Sequence, residues 1–99
     1  MLNLNVTKDG GTLCVAMEGR LDTVSSPELE ECLREDLPGT ELLVLDFEKL
    51  DYISSAGLRV LLQAHKRMTE QGRMMVRNVG ESILEIFEVT GFVDILTIE

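Results

Sequence analysis

Two adjacent serines, Ser54 and Ser55, are the residues of this chain whose position best suits chemistry. They come after the apolar run 42–45, which is typical of a strand buried on both faces. The residues that follow recur at helical spacing: Leu58, Leu61, Leu62, His65 and Met68. The serines therefore stand where a buried strand leads into a helix. The first amides of a helix are unpaired and carry the positive end of its dipole, so a serine there suits either a capping hydroxyl or a phosphate.

Two further residues of the same helix bear on that choice. Gly57 lies in the first turn, where glycine costs about 1 kcal/mol relative to alanine. We therefore expect either that another backbone approaches it closely or that the turn is too tight for a side chain. Arg59 lies one helical turn beyond Ser55, so it either reaches a phosphate there or pairs with a surface acid such as Asp51 or Glu48.

A second junction between a strand and a helix is predicted at Gly19-Arg20-Leu21-Asp22. The carboxyl ends of parallel strands emerge at one edge of a sheet, and functional residues concentrate at that edge. We therefore expect Asp22 to lie beside Ser55 on a binding surface. The alternative interpretation of Asp22 is a turn or capping residue.

Catalysis finds little support among the remaining residues. His65 is the one histidine, and its place near the apolar stripe of a helix favours a partly buried structural role. Cys14 lies within a predicted strand and Cys32 on a helix stripe, so both are predicted to be reduced core residues. Neither a nucleophile elbow nor a nucleotide-binding loop nor a Cys/His cluster appears. We predict no catalytic residue, no metal and no cofactor.

The charge of the chain limits its partners. Its 18 acids against 9 Lys and Arg give a formal net charge of −9, which argues against binding to nucleic acids and to anionic membranes. The acidity serves solubility alone, or it attracts a basic protein partner. With no apolar segment long enough for a membrane helix and no signal sequence, a cytoplasmic protein is expected.

The elements that position these residues can be read in chain order. Leu2, Leu4 and Val6 alternate with polar residues, as in a half-exposed edge strand, and the turn residues Asp9-Gly10-Gly11 lead to a second, antiparallel strand at 13–17. A helix begins at the serines before Pro27, with Ser26 as its cap or Ser25 in a capping box with Glu28, and ends at Leu37-Pro38-Gly39.

The second half of the chain continues the alternation. The helix after Ser55 closes near Gln71-Gly72, a strand covers 74–76, a third helix covers 81–89 before Gly91, and 93–98 is predicted to be a short last strand. Strands that alternate with helices imply parallel pairing. We predict one α/β domain over 1–99, with a mostly parallel sheet of four to five strands, an N-terminal antiparallel edge strand and about three helices.

The motif around the serines carries a family resemblance. Leu45-Asp46-Phe47 and the continuous stretch from Leu50 to Leu62 resemble the signature of anti-sigma factor antagonists in the STAS-domain family. Glu18-Gly19-Arg20-Leu21-Asp22 is similar to the family's Gly-x-Leu-Asp, and Gly91-Phe92 to its segment before the last strand. The match runs in order over nearly the whole chain, and its serine segment is the most specific part.

The resemblance implies a protein switch. In the family, the unphosphorylated antagonist binds an anti-sigma factor that is also a serine kinase and so frees the sigma factor; phosphorylation separates the pair, and a serine phosphatase resets it. Aligned on Gly57, the phosphoacceptor is Ser55, with Ser54 as the alternative because many members carry Asp at that position. The partner surface then comprises Asp22, Ser54, Ser55, Gly57 and Arg59.

Two further expectations follow from the resemblance. Members often have an additional C-terminal helix, whereas this sequence ends at Glu99, so an exposed face would favour a homodimer or a larger partner surface. The alternative function is a small, non-switching STAS subunit of a lipid-transport ATPase. A phosphotransfer enzyme component would need a reactive Cys or His at a strand end, which this sequence does not offer.

Overall fold

Strands and helices alternate along residues 2–99, the part of the chain that the computed structural model describes. The order is β1 (Leu2–Asp9), β2 (Thr12–Leu21), α1 (Ser26–Asp36), β3 (Leu42–Ile53), α2 (Ser55–Gln71), β4 (Arg73–Arg77) and α3 (Glu81–Thr90), followed by a 3₁₀ turn at Phe92–Asp94.

The four strands form one sheet in the order β1-β2-β3-β4. β1 is antiparallel to β2, and its hairpin closes at the pair Asp9–Thr12 with Gly10 at φ 60°. β3 is parallel to both β2 and β4. The predicted α/β class, the mostly parallel sheet and the antiparallel edge strand are confirmed.

All three helices share one apolar core with the sheet. The helical stripes predicted from the sequence supply its outer layer, and alternate residues of the strands supply the inner one. The fully buried members include Leu13, Val15, Leu29, Leu43, Leu45, Leu61, Met68, Ile83 and Phe87. Cys14 and Cys32 are free thiols and only half-buried. Burial of the Cys32 thiol, together with the nearby Asp36 carboxylate, raises the pKa of Cys32.

β3 is much longer than its apolar run 42–45 indicates, because it continues to Ile53. Its register with β2 shifts between Asp46 and Lys49 and again between Leu50 and Tyr52, so β3 carries an extra residue at each place. Such bulges interrupt the alternation of faces. The buried residues of this half are therefore Phe47, Leu50 and Ile53, at a spacing of three that does not resemble a strand.

The predicted last strand at 93–98 is wrong. Phe92 stacks on Phe87 with ring centroids 6.2 Å apart, and the amides of Ile95 and Leu96 both donate to the Phe92 carbonyl, at 3.0 and 2.8 Å. This curls the backbone into the 3₁₀ turn. Only Ile98 pairs with the sheet, through a single parallel bridge to Val76.

The helix ends agree with those predicted from the sequence, except for the cap at the start of α1. The predicted hydroxyl cap of α1 is absent: the Ser25 hydroxyl donates to the Arg20 carbonyl at 2.7 Å, and the Ser26 hydroxyl donates to the Asp22 carbonyl. α2 closes at Gly72, where a Cβ would lie 1.9 Å from the Glu41 carbonyl oxygen, so only glycine fits. α3 ends at Gly91 as predicted, with φ 82°.

Candidate functional site

The two strand–helix junctions meet at the carboxyl edge of the sheet, as expected. Leu21 and Ile53 are register partners at the ends of β2 and β3. Immediately beyond them, the Ser54 amide donates to the Leu21 carbonyl at 2.9 Å. Asp22 therefore continues beside Ser54, and Ser55 follows at the start of α2.

Ser54 is the N-cap of α2. Its backbone is extended (φ −99°, ψ 176°), and its carbonyl accepts the Leu58 amide at 2.9 Å. The Ser54 Oγ accepts a hydrogen bond from the Gly57 amide at 3.4 Å, a long one, and the residue is half-buried. The hydroxyl of Ser54 is thus directed toward the first turn of the helix.

Ser55 is the first residue of the 17-residue helix α2 and is exposed to solvent. The amides of Ser55 and Ala56 precede the first intrahelical hydrogen bond and have no acceptor within the helix. They lie at the positive end of the helix dipole, which favours an anion. A phosphate on Ser55 would lie at this end of α2.

Asp22 organises the turn between β2 and α1. Its Oδ1 accepts hydrogen bonds from the amides of Val24, at 3.1 Å, and Ser25, at 3.0 Å. The Ser25 amide, with help from the Ser25 hydroxyl and the Val24 amide, lowers the pKa of Asp22. The turn interpretation is therefore confirmed, while the placement of Asp22 on a partner surface stays a prediction. The other oxygen, Oδ2, lies 3.8 Å from Arg20 Nε.

Arg20 and Tyr52 form a stacked pair that no sequence pattern predicts. The Arg20 Cζ lies 4.3 Å from the centroid of the Tyr52 ring, a cation–π geometry. The two residues are register partners one step before the strand ends. The pairing follows the second bulge, which lies opposite the step from Gly19, at φ 107°, to Arg20. Only the long-range register, which no local motif encodes, could have revealed it.

Arg59 is exposed on the first turns of α2. The ion pairs among residues 2–99 join Arg20 to Asp22, Arg34 to Glu30 and Glu31, and Arg77 to Asp46. They include no bond from Arg59 to Asp51 or Glu48, so the pairing alternative is wrong. Contact between Arg59 and a phosphate on Ser55 stays a prediction.

Gly57 does not lie on the predicted partner surface. It was predicted to be a partner contact, but it is buried and faces the interior. A Cβ at this position would lie 2.9 Å from Leu21 Cγ and 2.9 Å from Ile53 Cγ1. Glycine is needed because α2 packs closely on the ends of β2 and β3. The inference that Gly57 marks a close approach by a partner is wrong, and we remove it from the partner surface.

His65 lies at the opposite edge of the sheet. It is half-buried and lines a cavity of about 210 Å³ with Leu42 and Arg73, the first residues of β3 and β4. Within residues 2–99, no cluster of His, Cys, Asp and Glu could hold a metal ion. Over the same residues, no helix has both the length and the apolarity needed to cross a bilayer.

The fold is that of a known family. The family model described as the STAS domain matches residues 3–99. The chain belongs to the STAS-domain family, and the resemblance seen in its motifs is confirmed. BtrV of Bordetella bronchiseptica, assigned by its name to the anti-sigma factor antagonists, is 33% identical over 99 residues, covering 98% of this chain and 85% of BtrV.

Solved structures share the same fold. An anti-sigma factor antagonist from Mycobacterium paratuberculosis superposes with a TM-score of 0.90 at 20% identity, over 99% of this chain and 85% of that one. The Bacillus cell fate determinant SpoIIAA, solved in its phosphorylated form, superposes with a TM-score of 0.77 at 15% identity, over 98% of this chain and 91% of that one.

Proposed function

We propose that this chain is a cytoplasmic anti-sigma factor antagonist controlled by phosphorylation of Ser55. Its unphosphorylated form binds an anti-sigma factor that is also a serine kinase, and this binding releases the sigma factor. Phosphorylation of Ser55 ends the binding, and a serine phosphatase restores it. The relatives that carry the antagonist name and the phosphorylated form of SpoIIAA support this proposal.

The exposure of Ser55 at the first position of α2 is the observation on which the choice of phosphoacceptor rests. Ser54 lies next to it but is half-buried, and its Oγ faces the Gly57 amide. A kinase must reach the hydroxyl from solvent and align it with ATP. Ser55 offers that access without breaking the cap of α2, whereas phosphorylation of Ser54 would disturb it.

The same geometry explains how a phosphate blocks binding. Phosphorylation adds a charge of about −1.5 to −2 at an edge that already carries the Asp22 carboxylate. Within the chain, the amides at the start of α2 and the guanidinium of Arg59 stabilise the new charge. A partner that covers Ser55 must desolvate this charge, which is costly unless the partner supplies a matched cation.

Phosphate mapping tests the assignment. Wild type, Ser54→Ala and Ser55→Ala are incubated with a purified anti-sigma serine kinase and ATP, and the modified residue is located by mass spectrometry. We expect wild type and Ser54→Ala to take up one phosphate and Ser55→Ala to take up none. Normal phosphorylation of Ser55→Ala would show that Ser54 or another residue is the acceptor.

Copurification and phosphate uptake together test the alternative function, a non-switching STAS subunit. A fixed subunit of a lipid-transport ATPase would copurify with the transporter and would take up no phosphate from any candidate kinase. An antagonist would instead bind the kinase and lose that binding once phosphorylated. Copurification with the ATPase in the absence of phosphate uptake would replace the switch by the subunit.

A further inference from the structure

The C-terminal part of the chain concentrates negative charge. From residue 78 to residue 99 there is no Lys, Arg or His, and the acids are Glu81, Glu85, Glu88, Asp94 and Glu99. All five are exposed. None of them forms an ion pair with any of residues 2–99. This segment therefore presents charge that the rest of the described chain does not neutralise.

The acids of α3 lie on one face of the helix. Glu81, Glu85 and Glu88 follow a spacing of four and three residues, which aligns side chains along a helix. Val89 continues the same line and is 81% exposed. The opposite side of α3 packs into the core through Ile83 and Phe87.

Exposed apolar side chains gather where this acidic face ends. Besides Val89, the 3₁₀ turn and the residue after it expose Val93, at 40%, and Ile95, at 42%. These three residues lie within a segment of seven. Elsewhere in residues 2–99, the exposed large apolar residues Val6, Val24 and Tyr52 are far apart in the sequence.

Contacts within the chain hold the apolar segment in place. Phe92 anchors it by stacking on Phe87, with ring centroids 6.2 Å apart and planes 18° from parallel. Gly91 reverses the chain in the left-handed conformation, and its carbonyl accepts the Asp94 amide at 3.2 Å. A surface fixed in this way loses little conformational entropy when it is covered.

We propose that the outer face of α3 and the turn at 89–95 form a docking surface for a basic amphipathic segment of a protein partner. Apolar side chains of that segment would cover Val89, Val93 and Ile95, while its Lys or Arg side chains would pair with the glutamates of α3. The proposal is independent of the phosphorylation switch, because this surface uses none of the residues around Ser55.

Charge selects this occupant over two others. A second copy of the chain would bring the same unneutralised acids to the interface and would be repelled. An anionic membrane would be repelled for the same reason. A segment with positive charge beside apolar side chains complements both features of the surface.

A synthetic peptide provides the probe. It has about four helical turns, with leucines at helical spacing and lysines elsewhere, and it is titrated into the full ¹⁵N-labelled chain. We expect the amide shift changes to be confined to 81–96 and binding to weaken as salt is added. A peptide in which glutamate replaces each lysine should not bind.

Matched variants separate local recognition from net charge. Glu85→Gln with Glu88→Gln should weaken binding about fivefold. The control, Glu35→Gln with Glu70→Gln, removes the same charge from exposed positions on α1 and α2 and should change binding less than about twofold.

Val89→Ser with Val93→Ser should also weaken binding about fivefold, and Val24→Ser, at an 86% exposed position, should have no effect. The altered positions are exposed, and urea unfolding checks that each variant is folded.

Several outcomes would overturn the proposal. Equal losses in the two glutamate variants would reduce the interaction to net charge. Binding of the acidic peptide, or shifts spread over the whole chain, would show that recognition is not local. Flotation with anionic vesicles, or a dimer in sedimentation that Val89→Ser with Val93→Ser disrupts, would assign the surface to a different occupant.

Discussion

Gly57 shows how a residue inside a functional motif can serve the fold alone. Its α-carbon packs against Leu21 and Ile53, the last residues of β2 and β3. The positions of Ser54 and Ser55 therefore depend on close packing between α2 and the sheet. A glycine in this motif marks the junction where the two elements meet.

Replacing this glycine should destabilise the protein. In Gly57→Ala the Cβ would lie 2.9 Å from both Leu21 Cγ and Ile53 Cγ1, so either α2 or these two buried side chains must shift. We expect a loss of about 1–3 kcal/mol in the free energy of unfolding, measured by urea denaturation. Gly80→Ala is the control: a Cβ there meets nothing within 4 Å, and the expected loss is below about 1 kcal/mol, from alanine at the N-cap of α3. Equal stability of the two variants would contradict the packing argument.

Asp22 has two roles that a graded substitution can separate. Asp22→Asn keeps the Oδ1 acceptor for the amides of Val24 and Ser25 but loses the charge beside Ser54. Because folding lowers the pKa of this carboxyl, we expect a small fall in the thermal midpoint at neutral pH, while binding to the anti-sigma kinase weakens. Asp22→Ala removes the acceptor as well, so both its midpoint and its binding should fall. Unchanged kinase binding in Asp22→Asn would remove Asp22 from the partner surface.

At the scale of elements, Asp46 connects β3 to the end of β4. Its Oδ1 accepts hydrogen bonds from the Glu48 amide at 3.0 Å and the Asn78 side chain at 3.1 Å, and Arg77 Nε lies 3.6 Å from Oδ2. Burial alone would raise the pKa of Asp46, but these hydrogen bonds and the Arg77 charge outweigh it and lower the pKa below its ordinary value of 3.8. The carboxylate therefore helps to fix the first bulge of β3.

The contacts of Asp46 should make the free energy of unfolding depend on pH. Because the pKa of Asp46 is lower in the folded chain, folding favours the ionised form. Its contribution is full above the ordinary pKa and is lost as pH falls through the folded pKa. We expect Asp46→Asn to be less stable than wild type at neutral pH, with a difference that shrinks below about pH 4. Urea denaturation across this range measures it, and a difference independent of pH would contradict the assignment.

The elements differ in how much of them the sequence predicts. The helix stripes, the N-terminal hairpin and the glycine ends of α2 and α3 are local signals, and all were predicted. The second half of β3 was not, because its bulges bury Phe47, Leu50 and Ile53 at a spacing of three. The 3₁₀ turn was missed for a related reason. Its residues have the composition of a strand, but the stacking of Phe92 on Phe87 determines their conformation.

The candidate site was also predictable from the sequence only in part. The meeting of Asp22 with the serines follows from parallel strands, which the alternation of elements indicates. The stacking of Arg20 on Tyr52 follows from a register set by the bulges, and the interior role of Gly57 follows from the depth of α2 packing. Both are tertiary properties that no short motif contains.

At the scale of the whole molecule, we predict that phosphorylation acts locally. The phosphate would lie at the start of α2 near exposed Arg59, so the sheet and the core need not rearrange. We expect phosphorylated Ser55 to weaken kinase binding roughly a hundredfold, and Ser55→Asp, with about half the charge, to weaken it less. Titration calorimetry measures the affinities, and amide shifts of the free proteins measure the extent of the change. Shifts throughout the sheet would contradict a local effect.

The Arg20–Tyr52 pair also gives this protein an internal optical reporter. The chain contains a single tyrosine and no tryptophan, so excitation above the phenylalanine absorption excites one ring only. That ring lies 4.3 Å from a guanidinium carbon and one residue before the end of β3. In the isolated chain, its emission should therefore report changes at this edge of the sheet, such as phosphorylation of Ser55, without an attached dye.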